Sequence, residues 1–458
     1  MVLDEREILL PRVKGHTGLL KHVSDAVMEK LSPDGMPVRF VITRTDEDGY
    51  QCELGVLSGI NNVQVPPRAS IFSFKKRDYE ETDQFNAVLI VPTGIGAALG
   101  GHSGDAGPVA RLLAAVCDNL ITHPNVVNAA DINEIPENAL YVEGSVLSRL
   151  LMGTVGLQKV RSNRVMLVVD EHHDKFFHEA AINAVSAARA ALGLDCPLVV
   201  KMDDKVLMRS FYSSSGRAVG RIECFEQVCA MLKAFRQQYD AVALASLIEV
   251  PEHSYEDYFR RDIDDTMVNP WGGIEAMLTH TISLLFDIPS AHSPLRESRE
   301  LLNLDVGVVD PRKSAEAVSI TYLHCILKGL HRSPRIVSDP SGHGDPHLLT
   351  AANVSCLVIP DGCVGLPTLA ALEQGIPVIA VRENKNRMQN NLEELPFARG
   401  KLFMAENYLE AVGVMLAMKA GVAPKTVRRP LAHTTVYEKD QSQESEPLAR
   451  MTANNPAE

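Results

Sequence analysis

Residues 86–108 read NAVLIVPTGIGAALGGHSGDAGP, and the order of their parts decides the fold class. A short apolar run (Ala87 to Val91) predicts a buried strand. It empties into a segment, Gly94 to Pro108, in which six of fifteen residues are glycine. A helix is expected from Val109 to Val116. Strand, glycine loop and helix in this order aim backbone N–H groups at one point beside a positive helix end, a recipe for holding a phosphate or carboxylate. Gly94, Gly96, Gly100, Gly101 and Gly104 are therefore candidate ligand-binding residues. His102 and Asp105 add an imidazole and a carboxylate that a purely structural turn does not need. The alternative is a tight connection with Asp105 as the helix N-cap.

The spacing differs from the familiar phosphate loops. Glycines 94, 96 and 100 give GxGxxxG, no acid ends the next apolar run at Leu120 to Thr122, and no Gly-Lys-Ser/Thr follows.

Outward from this unit, Gly18 to Leu31 has helical spacing, while Val38 to Ile42 and Gln51 to Val56 read as strands, so the chain opens as a mixed αβ segment. After the glycine loop comes a polar run with His123, Asn125 and Asn128, suited to lining a cleft. Further strands are expected at Arg164–Val169, Pro197–Val200, Ala241–Val250, Asp305–Val309, Cys356–Ile359 and Pro377–Val381, with helices between them. This rhythm predicts an α/β protein of two Rossmann-like lobes with largely parallel sheets. The expected division is an N-terminal α/β lobe at 1–158, a C-terminal α/β lobe at 159–425 and a disordered tail at 426–458.

The 458 residues suffice for two buried cores. A formal charge of -13 argues against nucleic acid or an anionic membrane as partner. Eight cysteines without CxxC spacing read as reduced thiols, and neither a signal-peptide pattern nor a membrane-spanning run is evident. The expected compartment is the cytoplasm and the expected partner a small anionic metabolite; homo-oligomer formation stays open, and no cofactor is identified.

In an open parallel sheet, ligands collect at the carboxyl ends of strands, where many of the polar clusters fall. Asp170, His172, His173, Asp174 and His178 offer metal-ligand types, with a capped, solvated helix start as the alternative. The segment SGHGDPH echoes GGHSGD, so His343 and Asp345 are paired with His102 and Asp105 as candidate acid/base groups facing one ligand. His347 joins His343 as a second metal-ligand candidate. Asp361 and Arg382 follow strands and are candidate ligand contacts. Cys363 in a glycine-flanked turn is a candidate nucleophile or a buried thiol. Ser213 to Arg217 reads as a phosphate loop or a flexible turn, and Trp271 as a stacking platform or a core plug.

VPTGIGAALGGHSGDAGP, ITHPNVVNAADINE and PDGCVGLPTLAALEQGIPVIAVREN together resemble a family of unknown function found in photosynthetic lineages and other bacteria, over nearly the whole chain except the tail. The segment from Gly362 through Arg382 to Asn390 also resembles the carboxyl-terminal half of two-domain nucleotide-sugar glycosyltransferases and epimerases, which implies nucleotide contacts at Gly362 and Arg382. The position that this family gives to a ribose-binding glutamate is Ala370. The functional expectation is a transferase- or epimerase-like enzyme binding a phosphorylated or nucleotide-linked metabolite between the lobes. A metal-dependent hydrolase and a non-catalytic ligand sensor or assembly factor are the alternatives.

Overall fold

The computed structural model describes residues 1–60, 69–260, 267–319, 321–340 and 347–436. Two sheets carry the architecture. The first has six strands, all parallel, in the order Leu402–Ala405, Val378–Val381, Val354–Pro360, Asn86–Leu89, Asn119–Thr122, Ala139–Tyr141. Its central strands are buried along their whole length, as a sheet covered on both faces requires. Gly107–Ala114, Gly144–Leu151, Leu366–Gln374 and Tyr408–Lys419 are the helices that follow its strands.

The second sheet has ten strands and is mixed. Leu198–Lys201, Val165–Val169, Ala241–Glu249 and Ser290–Leu295 form a parallel core. From it an antiparallel extension runs through Leu207–Tyr212, Ala218–Glu223, Val2–Leu10, Tyr50–Ser58 and Met36–Thr45. The expectation of largely parallel sheets thus holds for one sheet and half of the other. The opening αβ segment supplies three strands of the antiparallel half; Met36–Thr45 and Tyr50–Ser58, like Leu207–Tyr212 and Ala218–Glu223, are joined by short turns that only antiparallel pairing allows.

Each sheet draws strands from both sides of residue 158, so that boundary does not divide the sheets. Asn86–Leu89 pairs with Val354–Pro360, and Val2–Leu10 with Ala218–Glu223. The two-residue strand Val364–Gly365 leaves the first sheet and pairs with Met36–Thr45 of the second. Asp305–Val309 is not a strand, and the segment from Ser314 to Leu330 is broken into the helices Ser314–Ala317 and Leu323–His331.

Buried ion pairs fasten the antiparallel half. Arg217, 1% exposed, pairs with Glu53 and stands 3.6 Å from Glu5, and Arg39 reaches Glu5 at 3.4 Å. Ser213 and Ser215 donate their hydroxyls to Glu53 at 2.6 and 2.7 Å. Burial pushes the Glu53 carboxyl up, but Arg217 and the two serines outweigh it and hold it below the usual range. The serine loop read as a phosphate site therefore already holds an anion, the chain's own Glu53.

Candidate functional site

The glycine loop is closed upon itself and its neighbours. Ala98 N donates to Lys385 O at 2.8 Å, Leu99 N to Asn384 Oδ1 at 2.9 Å and Gly100 N to Asp105 Oδ1 at 2.8 Å. Ser103 N donates to Glu316 Oε1 at 2.7 Å. The geometry that gathers N–H groups around one point is present, but it closes on the chain's own carboxyl groups, those of Asp105 and Glu316. Glycine is required by crowding here: a Cβ on Gly101 would stand 2.1 Å from Ala97 O, and one on Gly104 2.3 Å from Ala129 Cβ.

His102 is buried, its Nδ1 lies 2.8 Å from Tyr258 Oη, and burial, with Lys313 and Arg312, pulls its pKa down to about 4. Tyr258 Oη in turn donates to Glu316 Oε1 at 3.0 Å. His102 is thus a link in an internal latch. Asp105 does not cap the helix; Ala106 occupies that position without a side-chain bond, and the Asp105 carboxylate turns back to Gly100. Neither His102 nor Asp105 lines the cavity described below, whereas Gly94 and Gly101 do. His343 and Asp345 lie outside the described residues. Asp361 Oδ1 accepts from Gly362 N at 2.8 Å, and Asn390 closes on Gly362 O at 2.8 Å. Arg382 sits at the surface between Glu406 (2.8 Å) and Glu393 (3.3 Å). Gly96, Gly100, Gly104, Asp361, Gly362 and Arg382 line no cavity here.

The other sequence candidates are also occupied by protein partners. His172 bonds Arg296 O and Asp174 N, His178 bonds Asp170 O, and Asp174 is held by Arg299 at 2.6 and 2.8 Å. Among the described residues no three His, Cys, Asp or Glu side chains group as metal ligands. Cys363 is buried, and burial pushes its thiol well up, away from a thiolate. Trp271 packs edge-on against Tyr255 and Tyr258 and borders the cavity described next.

That cavity opens at the carboxyl ends of strands from both sheets and holds about 1050 Å³ of space free of atoms, its open mouth included. The first sheet contributes Thr93, His123, Asn125, Asn128 and Glu143; the second contributes His292 and Arg296 from the end of Ser290–Leu295. The helix Gly272–Phe286 crosses between them and presents Glu275, Thr279 and His280. At 3.6 residues per turn Glu275 and Thr279 stand one above the other, about 40° apart, and His280 lies about 100° further round.

Glu143 directly follows the short strand Ala139–Tyr141 and caps the helix Gly144–Leu151, accepting from Ser145 N at 2.9 Å. It is 3% exposed and also accepts from Thr279 Oγ1 (3.3 Å), Ser145 Oγ and His280 Nδ1. Burial pushes this carboxyl up, yet His280 and Ser145 together hold it below its usual range. A carboxylate only accepts, so Nδ1 of His280 carries the hydrogen, and its Nε2 has no hydrogen-bond partner among the described residues. His123 Nε2 accepts from Val91 N at 3.1 Å, and burial draws its pKa down to about 4. It is a neutral ring with Nδ1–H as donor.

A second carboxylate–imidazole pair lies beside the first. His292 Nδ1 is 2.9 Å from Glu275 Oε1 and its Nε2 is 2.8 Å from Ser246 Oγ. The order serine, histidine, acid is that of a nucleophilic triad. Its direction is reversed with respect to the cavity: Ser246 is buried against the Met208 sulfur at 3.0 Å, while Glu275 and His292 line the open space. The pair therefore orients a carboxylate rather than activating a serine. Arg296 is flanked by the rings of Tyr255 and Tyr322, 4.5 and 4.8 Å from their centres, and bonds Tyr322 Oη. It has no ion-pair partner among the described residues, and its Nε has no hydrogen-bond partner there.

Of these residues, only the polar run with His123, Asn125 and Asn128 and the loop at Trp271 were marked in the sequence. Glu143, Glu275, His280, His292 and Arg296 were missed. The available signal was Thr279-His280 and Glu275 interrupting an otherwise apolar and small-residue helix.

No helix among the described residues is long and apolar enough to cross a membrane. A comparison with known proteins finds no matching solved structure. An uncharacterized lipoprotein of Synechococcus sp. is 34% identical over 345 residues, covering 74% of this chain and 92% of that protein. A family model described as "Protein of unknown function (DUF3326)" matches residues 86–428, a span that includes every residue of the cavity just built. The chain belongs to the DUF3326 family.

Proposed function

We propose that this protein is an enzyme that holds a small anionic metabolite in the cavity between the sheets and moves a proton on it, chemistry of the isomerase or transferase kind. One observation carries the reading: His280, aligned by the buried carboxylate of Glu143, borders a cavity whose guanidinium, Arg296, has no carboxylate within 4 Å among the described residues, although its charge acts on Glu316. A carboxylate behind Nδ1 fixes the ring and stabilises the imidazolium formed when Nε2 takes a proton. Arg296, flattened between two tyrosines, supplies the charge that a phosphate or carboxylate group needs. Neutral His123 adds a hydrogen-bond donor for an oxygen on which charge develops. Gly362 and Arg382 stand apart from the cavity, so a phosphorylated metabolite fits better than a nucleotide-linked one.

A thermal-shift screen with phosphosugars and small carboxylates identifies a ligand, and the ligand is then incubated with protein in D2O and followed by NMR. Wild type exchanges a substrate hydrogen for deuterium. His280→Gln retains binding while exchange falls by about 10²–10⁴-fold, and Arg296→Gln weakens binding. A wild-type protein that binds its ligand and catalyses no exchange or turnover refutes the reading in favour of a ligand sensor.

A further inference from the structure

Against the polar cavity lies a second chamber of about 940 Å³, again counting its open mouth, whose walls are apolar. Val38, Phe40, Ile71, Ile90, Leu147 and Leu366 form much of it, and each is at most 6% exposed. Three arginines also border it, but each is already neutralised: Arg39 by Glu5, Arg149 by Asp287 at 2.7 Å and Arg217 by Glu53. The chamber has shape and greasiness to offer and no spare charge. Close-packed interiors do not leave such space, because wall atoms facing a void lose their dispersion partners.

Thr93, His123, Gly144, Ala276 and His280 border both chambers. The partition is one residue thick, and His280, the group assigned to proton transfer, stands in it. A molecule reacting beside His280 has the Arg296 side for its charged end and the apolar chamber for the remainder. We infer that the substrate is an amphiphilic organic anion: a charged head at Arg296, its reacting centre at His280, and a hydrocarbon body of several carbons in the chamber lined by Phe40 and Leu147. The assignment of the head rests on the proposed function above; the assignment of the body rests on the chamber alone.

Isothermal titration of straight-chain carboxylates from acetate to decanoate, kept below micelle-forming concentrations, tests both parts when the alkanols of equal length are run beside them. In the wild type the affinity of each series rises by roughly 4-fold per added methylene until the chamber is full, and carboxylates bind more tightly than the matching alkanols. Ala276→Leu, which narrows the shared partition, flattens the dependence on length. Should that variant not fold, Val38→Phe fills the chamber from its other wall and has the same effect. Arg296→Gln brings the carboxylates down to the alkanol level and keeps the slope. The chamber assignment is overturned if neither series tightens with length, or if the slope survives in the folded narrowing variant. If instead both series tighten with length but carboxylates have no advantage and Arg296→Gln is silent, the anion anchor fails and the hydrocarbon site stands.

Discussion

Asp105 provides the sharpest test of how the glycine loop is built. Its Oδ1 accepts from Gly100 N, while Oδ2 is buried and has no partner among the described residues. Burial raises the carboxyl to about 7, against the opposing pull of the Gly100 and His102 amides and of Arg312. In an unfolded chain the group titrates near 3.9, so the gap of about 3 pH units corresponds to about 4 kcal/mol. The folded state prefers the neutral form. Its contribution is therefore complete below about pH 4 and is lost as pH rises to about 7. Asp105→Asn keeps an acceptor for Gly100 N and has no charge to bury. Urea unfolding followed by circular dichroism at pH 5, 6, 7 and 8 reads the difference directly. The variant should gain on the wild type by about 2–3 kcal/mol between pH 5 and pH 8, the part of the loss that falls in this interval. Parallel stability profiles for the two proteins would refute the claim that this carboxyl is held neutral inside the loop.

Three other outcomes follow from the same geometry. Glu143 has a depressed folded pKa, so its contribution is present above the unfolded value of about 4.3 and is lost as pH falls below it; Glu143→Gln should be less stable by about 1.5–3 kcal/mol at pH 7, and a thermal-unfolding gap that does not shrink towards pH 3 would contradict this. Gly101→Ala forces a Cβ against the Ala97 carbonyl and should cost at least about 2 kcal/mol. Gly107→Ala, with open space at that position, should be neutral or stabilising by about 0.4–1 kcal/mol; equal effects in chemical denaturation would remove crowding as the reason for the glycines. Glu53→Gln leaves the buried Arg217 with Glu5 alone, 3.6 Å away, and should cost up to about 3–5 kcal/mol, most of it recovered when Glu53→Leu is combined with Arg217→Met; a double variant no more stable than the single one would argue against an undercompensated charge.

The elements of the parallel sheet were legible because their strands are continuous apolar runs ending in polar loops, as Ala87 to Val91 and Cys356 to Ile359 show. Pairing was not legible, since nothing local in Asn86–Leu89 tells that its partner is Val354–Pro360. The rule that ligands gather at strand carboxyl ends leads to the cavity: His123 and Asn125 line it, and Arg296 stands at such an end. At Gly100 and Ser213 it leads to donors that bond the chain's own side chains, for one physical reason. A nest of N–H or hydroxyl donors calls for an anion, but the spacing of residues does not say whether that anion is a ligand or a distant carboxylate such as Glu316 or Glu53. His280 was hidden because a single imidazole in an apolar helix reads as core until Glu143, far away in the chain, is seen behind it.

The interleaving of the two sheets has a cost at the ribosome. Asn86–Leu89 emerges roughly 260 residues before Val354–Pro360, which at about 5–20 residues per second is a wait of between about ten and fifty seconds with one edge of a strand that is wholly buried in the folded protein unprotected. Val2–Leu10 likewise waits for Ala218–Glu223. Neither half can be released as a self-sufficient fragment by cutting near the middle of the gene, so truncations there should aggregate, and production of the intact chain should benefit from slower synthesis at low temperature or from chaperones that shield nascent strands.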